Sequence, residues 1–161
     1  MTSGPGGGDV VEVHLLRLPV SLWARTQEHA DGLLREFALI AEAQPAGECP
    51  TIPRRLSLLV EELNAQYSSI TTEQEAILAN ALNGGLAEID DLAFRVPIDT
   101  SSASVHLDEL LDEADRYCLA GEHLLTFASP PDQIAFRKWY LGEFVSQIEG
   151  RAPLAWPDFH L

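Results

Sequence analysis

Apolar and polar residues alternate near the start of the chain: Val11, Val13 and Leu15 are separated by Glu12 and His14. A period of two marks a strand with one face buried. The apolar, β-branched stretch runs from Val10 to Leu18 and is closed by Pro19, which has no N–H to give to a ladder. A second candidate strand, Ile89 to Val96, is closed the same way by Pro97.

Elsewhere the period is helical. From Ser21 to Ala43, at about 100° per residue, Leu22, Trp23, Thr26, Ala30, Leu33, Leu34, Phe37, Ile40 and Ala41 fall on one broad stripe. Gln44 to Thr51 holds Pro45, Gly47 and Pro50 and reads as a loop. A second helix is expected from Pro53 to near Tyr67, with Leu56, Leu59, Val60 and Leu63 inward. Thr71 or Thr72 is expected to cap a third, because Thr72 and Glu75 have capping-box spacing; Gly84-Gly85 ends it. A fourth helix covers Ser101 to Cys118, with Gly121 as its C-cap. Ser129-Pro130-Pro131-Asp132 opens a fifth, with a Ser cap, a Pro in the first turn and an acid beside it, and this helix reaches about Glu149.

These elements predict a mainly α (α+β) fold: a helical bundle of about five helices with a minor two-stranded element, in one domain over 10–150. The Gly-rich residues 1–9 read as a disordered tail with neither the basic nor the apolar region of a signal peptide. Residues 151–161, with Pro153 and Pro157, read as a C-terminal tail that carries Trp156 and Phe159.

One pattern stands above composition. His29-x-Asp31-x-Leu33-Leu34-x-Glu36 recurs as His106-x-Asp108-x-Leu110-Leu111-x-Glu113, and each copy follows an apolar segment closed by proline. Two pseudo-repeated strand–helix halves, about 10–85 and 86–150, are therefore expected, with paired strands and packed repeat helices. The repeat does not make a metal site by itself. His29 and Asp31 lie about 200° apart on a helix. His29 and Glu36 share a face but are separated by about 10.5 Å of rise. A site joining His29 to His106 across the halves would still need about two more ligands for zinc. The plainer reading has each His hydrogen-bonding across the helix pair at the edge of the apolar stripe. No catalytic residue, no metal site and no cofactor is assigned. The six repeat residues stand as ligand-site or structural candidates.

Composition adds constraints. A chain of 161 residues, 46% apolar and 22% charged, can bury roughly 70% of its unfolded surface as one domain. No apolar run reaches the ~20 residues of a membrane span. Cys49 and Cys118 lack a metal or redox spacing, so a reduced, cytoplasmic protein is expected. The net charge of −15 disfavours nucleic acid and anionic membranes as partners and favours a basic protein. The dense run Asp108, Glu109, Asp112, Glu113, Asp115 reads as a solvated helix face, with cation or basic-partner binding as the alternative. Cys118 sits on an apolar stripe and reads as core. Nucleophile-elbow, phosphate-loop and dinucleotide-binding patterns are absent from the sequence.

The segment from Phe136 to Val145 is the most aromatic in the chain and holds the adjacent bases Arg137 and Lys138, a basic spot in an acidic molecule. Arg137, Lys138, Trp139, Tyr140 and Phe144 are thus interface candidates, for a partner or for a homodimer. Core packing is expected to claim Trp139 or Tyr140 but not both.

Three stretches resemble a family of small, uncharacterised actinobacterial proteins. They are Glu28-His29-Ala30-Asp31-Gly32-Leu33-Leu34-Arg35-Glu36-Phe37-Ala38-Leu39, Leu110 to Cys118, and Phe136 to Phe144. Members of that family are often encoded beside an anti-sigma-factor serine kinase and a STAS-domain antagonist. The resemblance implies a role near a partner-switching stress-response module, with an anti-sigma kinase or STAS protein as partner, and brings no catalytic residue with it. The expected function is a non-enzymatic regulatory or adaptor protein in anti-sigma signalling. Two alternatives stay open. One is a small-molecule sensor with its ligand between the repeated helices. The other is a small enzyme using His and carboxylate pairs.

Overall fold

A computed structural model describes residues 9–43, 52–120 and 129–159. Two long strands, β1 (Val10–Pro19) and β2 (Glu88–Pro97), pair antiparallel, with Val13 opposite Phe94 and Leu15 opposite Leu92. The alternation read from the sequence is the alternation of burial. Val13, Leu15, Leu92, Phe94 and Val96 are buried, whereas Glu12, Ala93 and Arg95 face solvent. The period slips at Arg17, whose φ of 55° lies in the left-handed region, and Leu18 returns to the buried face.

Four helices accompany this ribbon, α1 (Val20–Glu42), α2 (Ile52–Asn83), α3 (Thr100–Ala120) and α4 (Pro131–Ile148); α2 and α4 pack on its strands and α3 packs on α2 and α4. The expected second and third helices are one, so the bundle has four helices among the described residues rather than about five. The capping-box reading of Thr72 and Glu75 fails for a physical reason. No Gly or Pro stands between Arg54 and Asn83, so nothing breaks the helix. Thr71 and Thr72 donate instead to the carbonyls of Tyr67 and Ser68, at 3.3 and 2.6 Å, the habit of a hydroxyl inside a helix. The loop over 44–51 and the Gly121 cap lie outside the described residues.

Helices α2 and α4 stop alike. The N–H of Leu86 donates to Ala81 O (3.0 Å) and that of Gly85 to Leu82 O (3.2 Å). Arg151 donates to Ser146 O and Gly150 to Gln147 O, each at 3.0 Å. Both are Schellman closures, and the positive φ they demand falls on Gly85 (74°) and Gly150 (97°). The start of α4 differs from expectation. Ser129 does not cap it; Pro130 holds that position without a side-chain bond, and Ser129 donates its N–H and hydroxyl to Asp115 instead.

A two-stranded ribbon has two outer edges, and each receives a glutamine from a helix. The Gln147 amide accepts from His14 N and donates to His14 O, both at 2.8 Å. Gln74 donates to Ala93 O on the other edge at 2.9 Å. These side chains stand where a third strand would pair. The core forms two clusters. One lies under the ribbon, with Leu18, Leu22, Leu78, Phe94, Phe136, Trp139 and Phe144. The other lies at the far end of the helices, with Leu33, Phe37, Leu56, Leu59, Leu110, Ala114 and Cys118. The C-terminal segment closes on the first cluster. Trp156, in a 3-10 turn over Trp156–Asp158, packs against Phe136 and Trp139, and Trp139 Nε1 donates to Leu154 O at 2.8 Å. Among the described residues no helix is long and apolar enough to cross a membrane.

Candidate functional site

Between the two clusters the inward stripe of α1 changes character. After Leu22 and before Leu33 its inward and flanking positions are Trp23, Thr26, His29 and Ala30. Only one of the four is large and apolar, so α1 does not fill the space beneath it. On α4 the positions facing the same level are Gln133 and Arg137, both polar and both buried. A cavity of about 620 Å3 results, walled by all four helices. Its apolar lining includes Leu33, Leu34, Val60, Leu63, Leu107 and Leu111, its aromatic lining Trp23, Phe136 and Tyr140, and its rim Asp31, Asn64 and Glu75. That volume is in the range of small-molecule sites, about 300–1,000 Å3.

Two polar atoms in the lining, His29 Nε2 and Gln133 Oε1, are buried and find no partner among the described protein atoms. Buried polar groups are normally hydrogen-bonded, and an orphan costs about 1–3 kcal/mol. Tyr140 is half-buried, and desolvation, followed by the Glu75 carboxylate, pushes its phenol well above the ordinary tyrosine value. It is therefore a neutral hydroxyl at any physiological pH.

Beside the cavity lies an ion network. Arg137 on α4 directs Nε to Asp108 (3.2 Å), Nη1 to Asp115 (3.1 Å) and Nη2 to Asp112, three carboxylates on one face of α3. Lys138 donates to Asp108 Oδ2 at 2.8 Å and to Asp112. Burial opposes the Lys138 charge, but Asp108 and Asp112 outweigh it and raise the ammonium pKa. The acidic run and the basic spot singled out from the sequence are thus each other's partners. The solvated-face reading holds for Glu109, which is exposed, but not for the three aspartates.

The repeat residues do not converge. His29 lines the cavity and makes no hydrogen bond across a helix pair, contrary to the plain reading, while Asp31 stands exposed at the rim. Glu36 is half-buried near Cys118. His106 is exposed on α3 and does not line the cavity; Asp108 belongs to the ion network; Glu113 pairs with Arg55 at 3.1 Å. Among the described residues no group of His, Cys, Asp and Glu is arranged to hold a metal ion.

The interface candidates are corrected more sharply. Arg137, Trp139 and Phe144 are buried, at 8%, 1% and 6% exposure, and Tyr140 packs on Phe94, Phe136 and Phe144. The core takes Trp139 and Tyr140 both. An amphipathic α4 wedged between ribbon and helices has little outer face left to show. Cys118 is core, as its stripe position implied: burial, with Asp115 and Glu36 nearby, pushes its thiol up to about 11. Gln133, Thr26, Trp23 and Glu75 were not read as cavity residues from the sequence; for Thr26 the signal was the small and polar gap in the α1 stripe, and for Gln133 and Glu75, on α4 and α2, there was none. Comparison with protein-family models, with curated proteins and with solved structures finds no match.

Proposed function

We propose that this chain is a non-enzymatic regulatory protein. Its input is a small molecule held in the cavity between the four helices, and its output is contact with a protein partner. The cavity carries the reading: about 620 Å3 with an apolar wall and two buried polar atoms that lack partners among the described residues. A site of that kind binds and orients a ligand. Chemistry would need an activated nucleophile or an acid–base pair, and the strongest carboxylate cluster is instead engaged with Arg137 and Lys138. The output side is supported by the net charge of −15, which steers basic partners, and by the resemblance to proteins of partner-switching modules. We also read the halves 10–85 and 86–150 as related units. In support, α1 rests on α2 and α4, α3 rests on α4 and α2, α2 reaches β2 and α4 reaches β1; against it, the expected packing of α1 directly on α3 is not among the main helix contacts of the described residues, and the α1–β1 contact has no α3–β2 counterpart there.

Two experiments test the two parts. A thermal-shift screen of chemically diverse small molecules should find compounds that raise Tm in proportion to the logarithm of their concentration. Their effect should vanish in Ala30→Trp, which fills the cavity. An affinity capture at low and moderate salt should recover a basic region of an anti-sigma kinase or STAS protein, more weakly at the higher salt. A screen without a single hit would refute the input, and salt-insensitive capture would refute the electrostatic output.

A further inference from the structure

Resting on the reading of the cavity as the ligand site, we infer the class of ligand: a lipophilic amine, its apolar or aromatic body among the leucines and its ammonium toward Gln133 and Glu75.

The two buried polar atoms that the lining leaves unpaired, Gln133 Oε1 and His29 Nε2, can both accept a hydrogen bond. Gln133 is nine-tenths buried, and its carbonyl oxygen has no donor. The Glu75 carboxylate accepts a hydroxyl from Thr71 at 3.3 Å and, among the described residues, has no Arg, Lys or His within 4.0 Å. Asp31 at the rim likewise has no ion-pair partner there. His29 Nε2 accepts as well when the ring proton sits on Nδ1. An ammonium supplies three donors and no acceptor, which is what such a set lacks.

An anionic ligand finds no unengaged Arg or Lys in the wall. The one cation in the wall, Arg137, spends its three nitrogens on Asp108, Asp112 and Asp115, and that network with Lys138 carries three negative charges against two positive. The rings of Trp23, Phe136 and Tyr140 line the same space, and aromatic faces attract a desolvated cation. A net charge of −15 draws cations to the opening.

The test uses one skeleton with three charges on the full chain: 4-phenylbutylamine, 4-phenylbutanol and 4-phenylbutyrate, followed by calorimetry at neutral pH. The amine should bind about tenfold tighter than the alcohol or better, since a charge-assisted bond exceeds a neutral one by about that factor. The butyrate should bind more weakly than either. Glu75→Gln, an exposed position on α2 where folding is not at stake, should weaken the amine more than the alcohol and so erase the amine's advantage. If the alcohol or the acid binds as tightly as the amine, or Glu75→Gln leaves the preference intact, the amine assignment is wrong while the cavity remains a ligand site. If none of the three binds at millimolar concentration, the assignment fails; if the thermal-shift screen is empty as well, so does the proposed input.

Discussion

Replacing Arg137 by Met removes a buried cation while keeping most of the side chain's length. Asp108 and Asp112 would then keep only Lys138, and Asp115 only its hydrogen bonds from Ser129. Arg137 is 8% exposed and Asp115 is equally buried, so those two charges lose most of their hydration on folding and depend on each other. Removing one partner from a buried pair costs about 3–5 kcal/mol. Asp108 and Asp112 have side chains 24% and 35% exposed, and water screens part of their repulsion, which places the expected loss near the lower end, about 3 kcal/mol. In a domain of this size each kcal/mol lowers Tm by about 2–4 °C, so the drop should be about 6–12 °C.

Urea denaturation followed by far-UV circular dichroism reads the loss directly, with the slope unchanged if only stability moves. The double variant with Asp115→Asn should recover part of it, because the carboxylate left most deeply unpaired is then neutral. A loss below about 1 kcal/mol, the worth of an exposed ion pair, would refute the claim that this network is interior.

Phe37 is fully buried in the far-end cluster, edge-on to Tyr117 at 5.5 Å, and Phe37→Ala should cost about 3–5 kcal/mol in the same titration; a cost under 1 would mean the cluster is loosely packed. His14 lies between Asp91 (2.9 Å) and Glu12 (2.8 Å), and the Asp91 hydrogen bond, outweighing burial, raises its pKa above 6.5. A raised folded value means that the stability it contributes is fully present below pH 6.5 and is lost as pH rises through the folded pKa. The stability difference between wild type and His14→Gln should therefore shrink with rising pH over that window, and growth instead would reverse the assignment. Cys118, with its thiol pushed up to about 11, should react slowly with a disulfide reagent at pH 8 in the folded chain and quickly in urea, measured in a Cys49→Ser background; equal rates would show that the thiol is open to solvent.

The ribbon was readable because its signals are local. Alternation from Val11 to Leu15 and a closing proline need no knowledge of the partner strand. The fusion of two expected helices into α2 shows the limit of local chemistry. Thr72 and Glu75 have the spacing of a cap, yet a threonine inside a helix can satisfy its hydroxyl on the preceding turn. The absence of Gly and Pro from 54–83 was the stronger signal. Pairing across helices was not readable at all. The carboxylates on α3 and the bases on α4 were each visible, but which solvates and which pairs depends on the register of two helices linked through residues 121–128. The cavity was half visible. Thr26, His29 and Ala30 interrupt the apolar stripe of α1, and a stripe counted by angle alone passes over side-chain volume.

That interruption has a thermodynamic consequence. A bundle filled evenly from ribbon to far end would gain the burial of one or two more large side chains, about 1.5–3 kcal/mol each. This chain instead places small and polar residues at the level where all four helices meet, and leaves Gln133 Oε1 and His29 Nε2 without hydrogen-bond partners among the described residues. The fold forgoes stability at one level while its two clusters, around Trp139 and around Phe37, are packed with aromatics on either side. A ligand that occupies the gap returns what the sequence omits: about 2.7 kcal/mol at a concentration a hundredfold above its Kd. It does so by contacting α1, α2, α3 and α4 together, so its gain depends on their relative placement. Binding is then coupled to the arrangement of the helices whose outer faces carry the exposed acids, such as Glu28 and Glu109, that a basic partner would meet. The coupling is reciprocal, so saturating partner should tighten the ligand by the same factor that saturating ligand tightens the partner. A coupling factor of one in the calorimetric cycle would show the two sites to be independent and leave the cavity without a regulatory role.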